Sequence, residues 1–186
     1  MNALSAAAAT DAALAARLRA KVRNVPDFPR AGVQFKDITP LLAAADAWRD
    51  CVKALAAPWR GAEVDAVCGI EARGFIFGAA LAFELGVGFV PLRKAGKLPA
   101  ATLGVEFQLE YATARIEVHA DALAPGARVL IVDDVLATGG TLRAARQLIE
   151  RLGAMLVGAA VVIELDALGG RAGWPDIVPL VALLHY

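Results

Sequence analysis

The chain has 186 residues, of which 58% are hydrophobic and 20% charged, with 19 Lys and Arg balanced by 19 Asp and Glu for a formal net charge of zero. That length buries a full core as one domain, and the composition excludes a disordered or acidic-tail protein. A dedicated nucleic-acid binder would carry a basic excess, which this sequence lacks.

Near the start, Leu14, Leu18 and Val22 recur at helical spacing, with Thr10 or Asp11 as the expected cap. The N-terminus has no basic region ahead of its apolar part, which argues against a signal peptide. No apolar run is long enough to span a membrane, so the expected location is the cytoplasm. Cys51 and Cys68 form no CxxC pair, and His119 and His185 lie far apart, so neither zinc nor a disulfide framework is expected.

"NVPDFPRAGVQFKDITPLL" follows, and its three prolines forbid a continuous helix. Trp48, Val52 and Leu55 predict a helix over Asp46 to Ala57. "VDAVCGI" reads as a short buried strand, then "EARG" leads into a helix from about Phe75 to Leu85, and "GVGFVPLRK" is a strand. The span from Ala95 to Ala114 is mixed and loop-like, with room for short strands. "ARIEVH" alternates as a strand with one solvent face.

"RVLIV" carries a continuous apolar run from Val129 to Val132, the pattern of a parallel strand covered on both faces. Leu142 to Leu152 carries one apolar face and predicts a helix ended by Gly153. "MLVGAAVVIEL" and "IVPLVALLHY" supply the last two strands. Strands alternating with helices predict an α/β fold with a mostly parallel central sheet flanked by helices. Ligands in such folds bind at the carboxyl ends of the strands.

The chemistry concentrates in "VDDVLATGGTL". Gly139 and Gly140 let successive N–H groups face one hollow. The helix beginning near Thr141 adds its positive end, and Thr138 and Thr141 add hydroxyls. That is a phosphate cradle, and it is neither a Walker A loop nor GxGxxG. Asp133 and Asp134, just ahead of it, suit hydroxyl donors. A ribose 5-phosphate satisfies both features, with its diol on the carboxylates and its phosphate in the loop. The structural alternative is that the two aspartates cap a turn.

This stretch resembles the phosphoribosyl-diphosphate loop of the type I phosphoribosyltransferases. "VPDFPRAGVQFKDITPLL", "GIEARGFIFG", "LRKAGKLP" and "LEYATARIEVH" resemble the adenine-specific branch of that family. The resemblance runs from about Val25 through the last strand. It implies a single phosphoribosyltransferase domain over 1–186, with an N-terminal helix and base-binding hood in 1–40 and a flexible catalytic loop in 95–115. The implied reaction takes adenine and phosphoribosyl diphosphate to AMP and diphosphate in purine salvage. A homodimer is implied, and neither nucleic acid nor a membrane is an expected partner. Magnesium is expected on the substrate, with no direct protein ligands.

The family's roles transfer onto particular positions. Asp133, Asp134, Ala137, Thr138, Gly139, Gly140 and Thr141 would hold the ribose and its 5′-phosphate. Arg73 would act on the diphosphate, joined by Arg93, Lys94 and Lys97; without the family, Arg73 reads equally as a partner of Glu71 and the cluster as a solvated charge run. Glu110 would be the acid/base for the purine N7 proton. Phe35 and Leu165, otherwise ordinary core residues, would sandwich the adenine, while Val33, Gln34 and Lys36 put backbone groups against its edge. Two departures from the family pattern are Ala31, where a second Pro is usual, and Ala112, where Gly is usual. Two other readings stay open: a transferase for another base, and a non-enzymatic regulator that binds phosphoribosyl diphosphate.

Overall fold

In a computed structural model of the chain, residues 12–108 and 113–186 are described. The central element is a seven-stranded sheet of β3 (Ala66–Ile70), β4 (Gly88–Lys94), β5 (Thr102–Gln108), β6 (Thr113–His119), β7 (Arg128–Leu136), β8 (Met155–Glu164) and β9 (Leu180–His185). Its strand order is β5-β6-β4-β3-β7-β8-β9. From β4 across to β9 the pairing is parallel, and β6 and β5 add an antiparallel edge. The mostly parallel α/β architecture is therefore present, as the apolar strand runs predict.

Alternation within the central strands builds two cores. Val67 and Leu130 face one layer, with α3 (Ala45–Ala56) and α4 (Arg73–Leu85), whereas Cys68 and Ile131 face the other, under α5 (Gly140–Arg151). Every residue of β3 is buried, because helices cover both faces of that strand. Burial also pushes the Cys51 and Cys68 thiols up to about 12, which leaves both inert as nucleophiles.

The N-terminal helix, α1, spans Ala12–Arg19 and buries Leu18, while Leu14 and Val22 pack partly on the same core. Val22 lies beyond the helix end, and the expected cap at Thr10 or Asp11 falls outside the described residues. The proline-rich segment forms a small antiparallel hairpin, β1 (Arg23–Pro26) with β2 (Gln34–Asp37), followed by α2 (Thr39–Ala43) with Pro40 in its first turn. Within the mixed span, which has room for short strands, lie the seven residues of β5, paired along its length with β6. Buried Val105 explains the strand, since it joins Ile116 and Val118 in the α5-side core. Among the described residues, no helix is long and apolar enough to cross a membrane.

Candidate active site

The carboxyl ends of β3, β7 and β8 open into one cavity of about 480 Å³, closed on its far side by β2. Asp133 and Asp134 line its floor, inside β7 rather than after it, since that strand continues to Leu136. Phe35 of β2 lines it together with Leu165, the residue following β8. The family resemblance implies one sandwich for these two residues, and 130 positions of chain separate them.

The phosphate-type loop follows from β7. Gly139 has φ +77° and ψ 0°, a left-handed conformation that only Gly adopts without strain, and α5 begins directly after it at Gly140. A Cβ on Gly139 would also run into the carbonyl oxygen of Gly170. Ala137 and Thr141 line the cavity, with Thr138, Gly139 and Gly140 forming the backbone between them. The α5 N-terminus thus brings its first-turn N–H groups and a positive dipole end beside two carboxylates.

Arg73 is the first residue of α4, two residues earlier than the sequence pattern suggests for that helix. Its Nε lies 2.7 Å from Asp134 Oδ2, and its guanidinium carbon lies 5.0 Å from the centre of the Phe35 ring. The approach to Asp134 is off the N–H axis, so this is an ion pair without an aligned hydrogen bond. Glu71 is not its partner: that carboxylate accepts from Lys94 N at 3.0 Å and from Arg93 Nε at 3.3 Å. Burial pushes Glu71 up, but these two donors outweigh it and hold the group below its ordinary value.

The aspartate pair behaves oppositely. Burial raises Asp133 well above the usual carboxylate range, and the charge of Asp134 adds to the shift. Asp134 is also raised by burial, against the pull of Arg73. Asp133 Oδ1 accepts a hydrogen bond from the Asp134 backbone N–H at 2.8 Å. Gly74 makes room for this arrangement, since a Cβ there would sit 2.9 Å from Asp133 Oδ1.

The remaining basic cluster does not line the cavity. Arg93 Nη1 donates to the Lys97 carbonyl at 2.8 Å, and Gly96 N donates to Glu117 at 3.0 Å, so Arg93, Lys94 and Lys97 stand on a braced turn at the end of β4. Glu110 lies outside the described residues. The sequence reading missed Ile70, Glu71, Ala72, Val135 and Leu168 as lining residues. Leu168 carried a usable signal, three residues after Leu165 in a short 3-10 turn. Val33, Gln34 and Lys36 line this cavity and also a second one of about 650 Å³ that reaches Tyr186.

A parallel sheet whose strand ends join a glycine-rich anion loop to a doubled carboxylate defines a phosphoribosyl transferase, and the phosphoribosyl transferase domain model matches residues 37–176. An adenine phosphoribosyltransferase of Xanthomonas campestris is 56% identical over 186 residues, all of both chains. The crystal structure of that enzyme from Rhodothermus marinus superposes with a TM-score of 0.91 at 50% identity, over 95% of this chain and all of the other. The Saccharomyces cerevisiae enzyme, complexed with adenine and an imino-altritol bisphosphate, gives 0.88 at 37% identity over 93% and 99%. The chain belongs to the adenine phosphoribosyltransferase family.

Proposed function

We propose that the protein transfers the phosphoribosyl group of phosphoribosyl diphosphate to N9 of adenine, forming AMP and diphosphate. The observation that carries this reading is the single cavity shared by Phe35 and Leu165, the Asp133–Asp134 pair, and the start of α5 at Thr141. A flat apolar base, a diol and a phosphate find complementary chemistry there in that order.

In the reaction, the C1′–oxygen bond to diphosphate breaks and N9 forms the new bond on the opposite face. Asp133 and Asp134 hold the 2′ and 3′ hydroxyls and offset the positive charge developing on the sugar. The loop from Ala137 to Thr141 holds the 5′-phosphate with backbone N–H groups and hydroxyls. Arg73 moves from Asp134 to the departing diphosphate, where its fork of donors matches phosphate oxygens. Arg93, Lys94 and Lys97 add positive potential at the neighbouring strand end. Glu110 takes the N7 proton of the base, on a segment within 95–115 that closes over the substrates. Backbone groups of Val33, Gln34 and Lys36 read the base edge and reject a 6-oxo purine, which would leave polar groups unpaired.

The donor set also fits magnesium carried on the substrate. The two carboxylates are hard oxygen donors, and Asp134 Oδ2 lacks an aligned hydrogen bond. Asp133 and Asp134 would face the ion through the ribose hydroxyls or water. When bound, it neutralises charge on the diphosphate.

The protein acts in the cytoplasm as a homodimer in this reading. Ile76 and Phe83 lie one above the other along α4 and are 41% and 89% exposed, an apolar strip that a second copy would cover.

The test is an end-point assay with magnesium and phosphoribosyl diphosphate, offering adenine, hypoxanthine, guanine, xanthine and orotate separately. AMP from adenine alone, abolished in Glu110→Ala and Asp134→Ala proteins, is the expected result. Product from another base would overturn the base-pocket assignment. Binding of phosphoribosyl diphosphate without product from any base would favour a regulator.

A further inference from the structure

Tyr186 touches both halves of the proposed base pocket without lining the cavity that holds the aspartates. On one side, the Lys36 ammonium sits 4.1 Å from the centre of the Tyr186 ring. Lys36 Nζ also donates to Asn24 Oδ1 at 3.2 Å, and Asn24 Nδ2 donates to Gln34 Oε1 at 2.9 Å. The two residues flanking Phe35 are therefore tied to each other across the β1–β2 hairpin, and Lys36 ties that hairpin to Tyr186. The Arg19 guanidinium approaches the same ring at 5.2 Å, from the end of α1.

On the other side, the backbone of Tyr186 brackets Leu165. Tyr186 N donates to the Glu164 carbonyl at 3.0 Å, and Asp166 N donates to the Tyr186 carbonyl at 2.9 Å. Leu165 is thus held between two hydrogen bonds to one residue. The buried Tyr186 hydroxyl interacts with the Arg19 side chain without an aligned hydrogen bond, so it accounts for neither the Lys36 contact nor the bonds around Leu165. The ring face and the main chain do.

We infer that Tyr186 is a positioning residue for the base, setting the distance between the Phe35 and Leu165 walls by holding Lys36 over its ring and Leu165 in its backbone hydrogen bonds. The inference rests on the proposed adenine site. A π-stacked base loses contact steeply when a wall retreats by a fraction of an ångström, so a loosened hairpin weakens adenine more than the sugar phosphate.

Steady-state kinetics on Tyr186→Ala, Tyr186→Phe and Lys36→Met proteins test this, with adenine and phosphoribosyl diphosphate varied separately. Tyr186→Ala is expected to raise the KM for adenine by roughly three- to tenfold, the range of one partly desolvated cation–π contact. The KM for phosphoribosyl diphosphate is expected to stay within about twofold. Tyr186→Phe keeps the ring and restores the parent value. Lys36→Met removes the cation and raises the adenine KM on its own, whether or not Tyr186→Ala folds. The double variant is expected to fall short of the product of the two single effects, because both changes break the Lys36–Tyr186 contact, while Lys36→Met also gives up the Asn24 hydrogen bond. An unchanged adenine KM, equal movement of both KM values, or failure of the Phe variant to rescue would overturn the inference. Parent protein that makes no AMP would overturn the adenine reading itself, and this inference with it.

Discussion

The Arg73 guanidinium is shared between Asp134 and Phe35, 2.7 Å from the carboxylate oxygen of one and 5.0 Å from the ring centre of the other. Arg73 thus stands beside the surfaces assigned to ribose and base. Replacing Arg73 by Ala leaves the buried Asp134 without its cation. Because the Arg73 side chain is 37% exposed, a stability loss of about 1–2 kcal/mol is expected rather than the full cost of breaking a buried pair. Chemical denaturation measures that loss. Varying phosphoribosyl diphosphate in the assay should show kcat/KM lower by at least about tenfold, the scale of one charge-assisted phosphate contact.

Asp133→Asn is expected to separate stability from activity. Asp133 has a raised folded-state pKa, so its ionised form costs stability at neutral pH, and the cost is relieved as pH falls through that value. Asn keeps an oxygen for the Asp134 N–H but carries no charge. The variant should melt higher than the parent at pH 7 and lose AMP formation, since a neutral amide offsets no positive charge on the sugar. A lower melting temperature would show that the cost of burying the carboxylate is outweighed by what its charge holds in place.

The acid limb of stability belongs to other groups. Asp37 is lowered by the Thr39 backbone N–H and hydroxyl, and Glu117 by the Gly96 N–H and Arg115, while Glu71 is lowered against its own burial. Each contributes stability that is full above its ordinary value, 3.8 for Asp37 and 4.5 for the two glutamates, and is lost as pH falls through the lower folded-state value. Denaturation from pH 7 to pH 3 should show steady or rising stability as the Asp133–Asp134 pair protonates, then a fall below about pH 4.5. Glu71→Gln and Glu117→Gln should each flatten that fall.

Gly139→Ala should strike the phosphate-type loop alone. The substitution forces a left-handed residue to carry a Cβ, which also meets the Gly170 carbonyl. A loss of about 1–3 kcal/mol is expected from strain at such a position. The KM for phosphoribosyl diphosphate should rise while the KM for adenine stays near its parent value.

Phe83→Glu tests the exposed strip on α4. Phe83 is 89% exposed and makes no part of the core, so the folded chain should tolerate the charge. Sedimentation should show monomers for the variant and dimers for the parent. Identical sedimentation of the two proteins would place any dimer contact elsewhere.

Much of the fold was legible because local physics dictates it. The apolar run Val129–Val132 fits a strand covered on both faces, and the 3.6-residue spacing of Leu142, Ala145, Leu148 and Ile149 fits a helix with one buried face. The glycine loop and the doubled aspartate were equally legible, since a left-handed Gly before a helix start makes an anion hollow from neighbouring residues alone. The place and length of the strand at Thr102–Gln108 were not, because its stability comes from pairing with β6 and from burying Val105 beneath α5. Nor could sequence choose the partners of the charges. Glu71 and Asp134 were both available to Arg73, and the choice fell to the positions of three strand ends, which put Arg93 beside Glu71 and the α4 start beside β7. The same holds for Tyr186, whose contacts with Lys36 and Glu164 join segments far apart in the chain. Local sequence determined which groups exist and what each can do; tertiary packing, driven by burial of two cores, decided which of them meet.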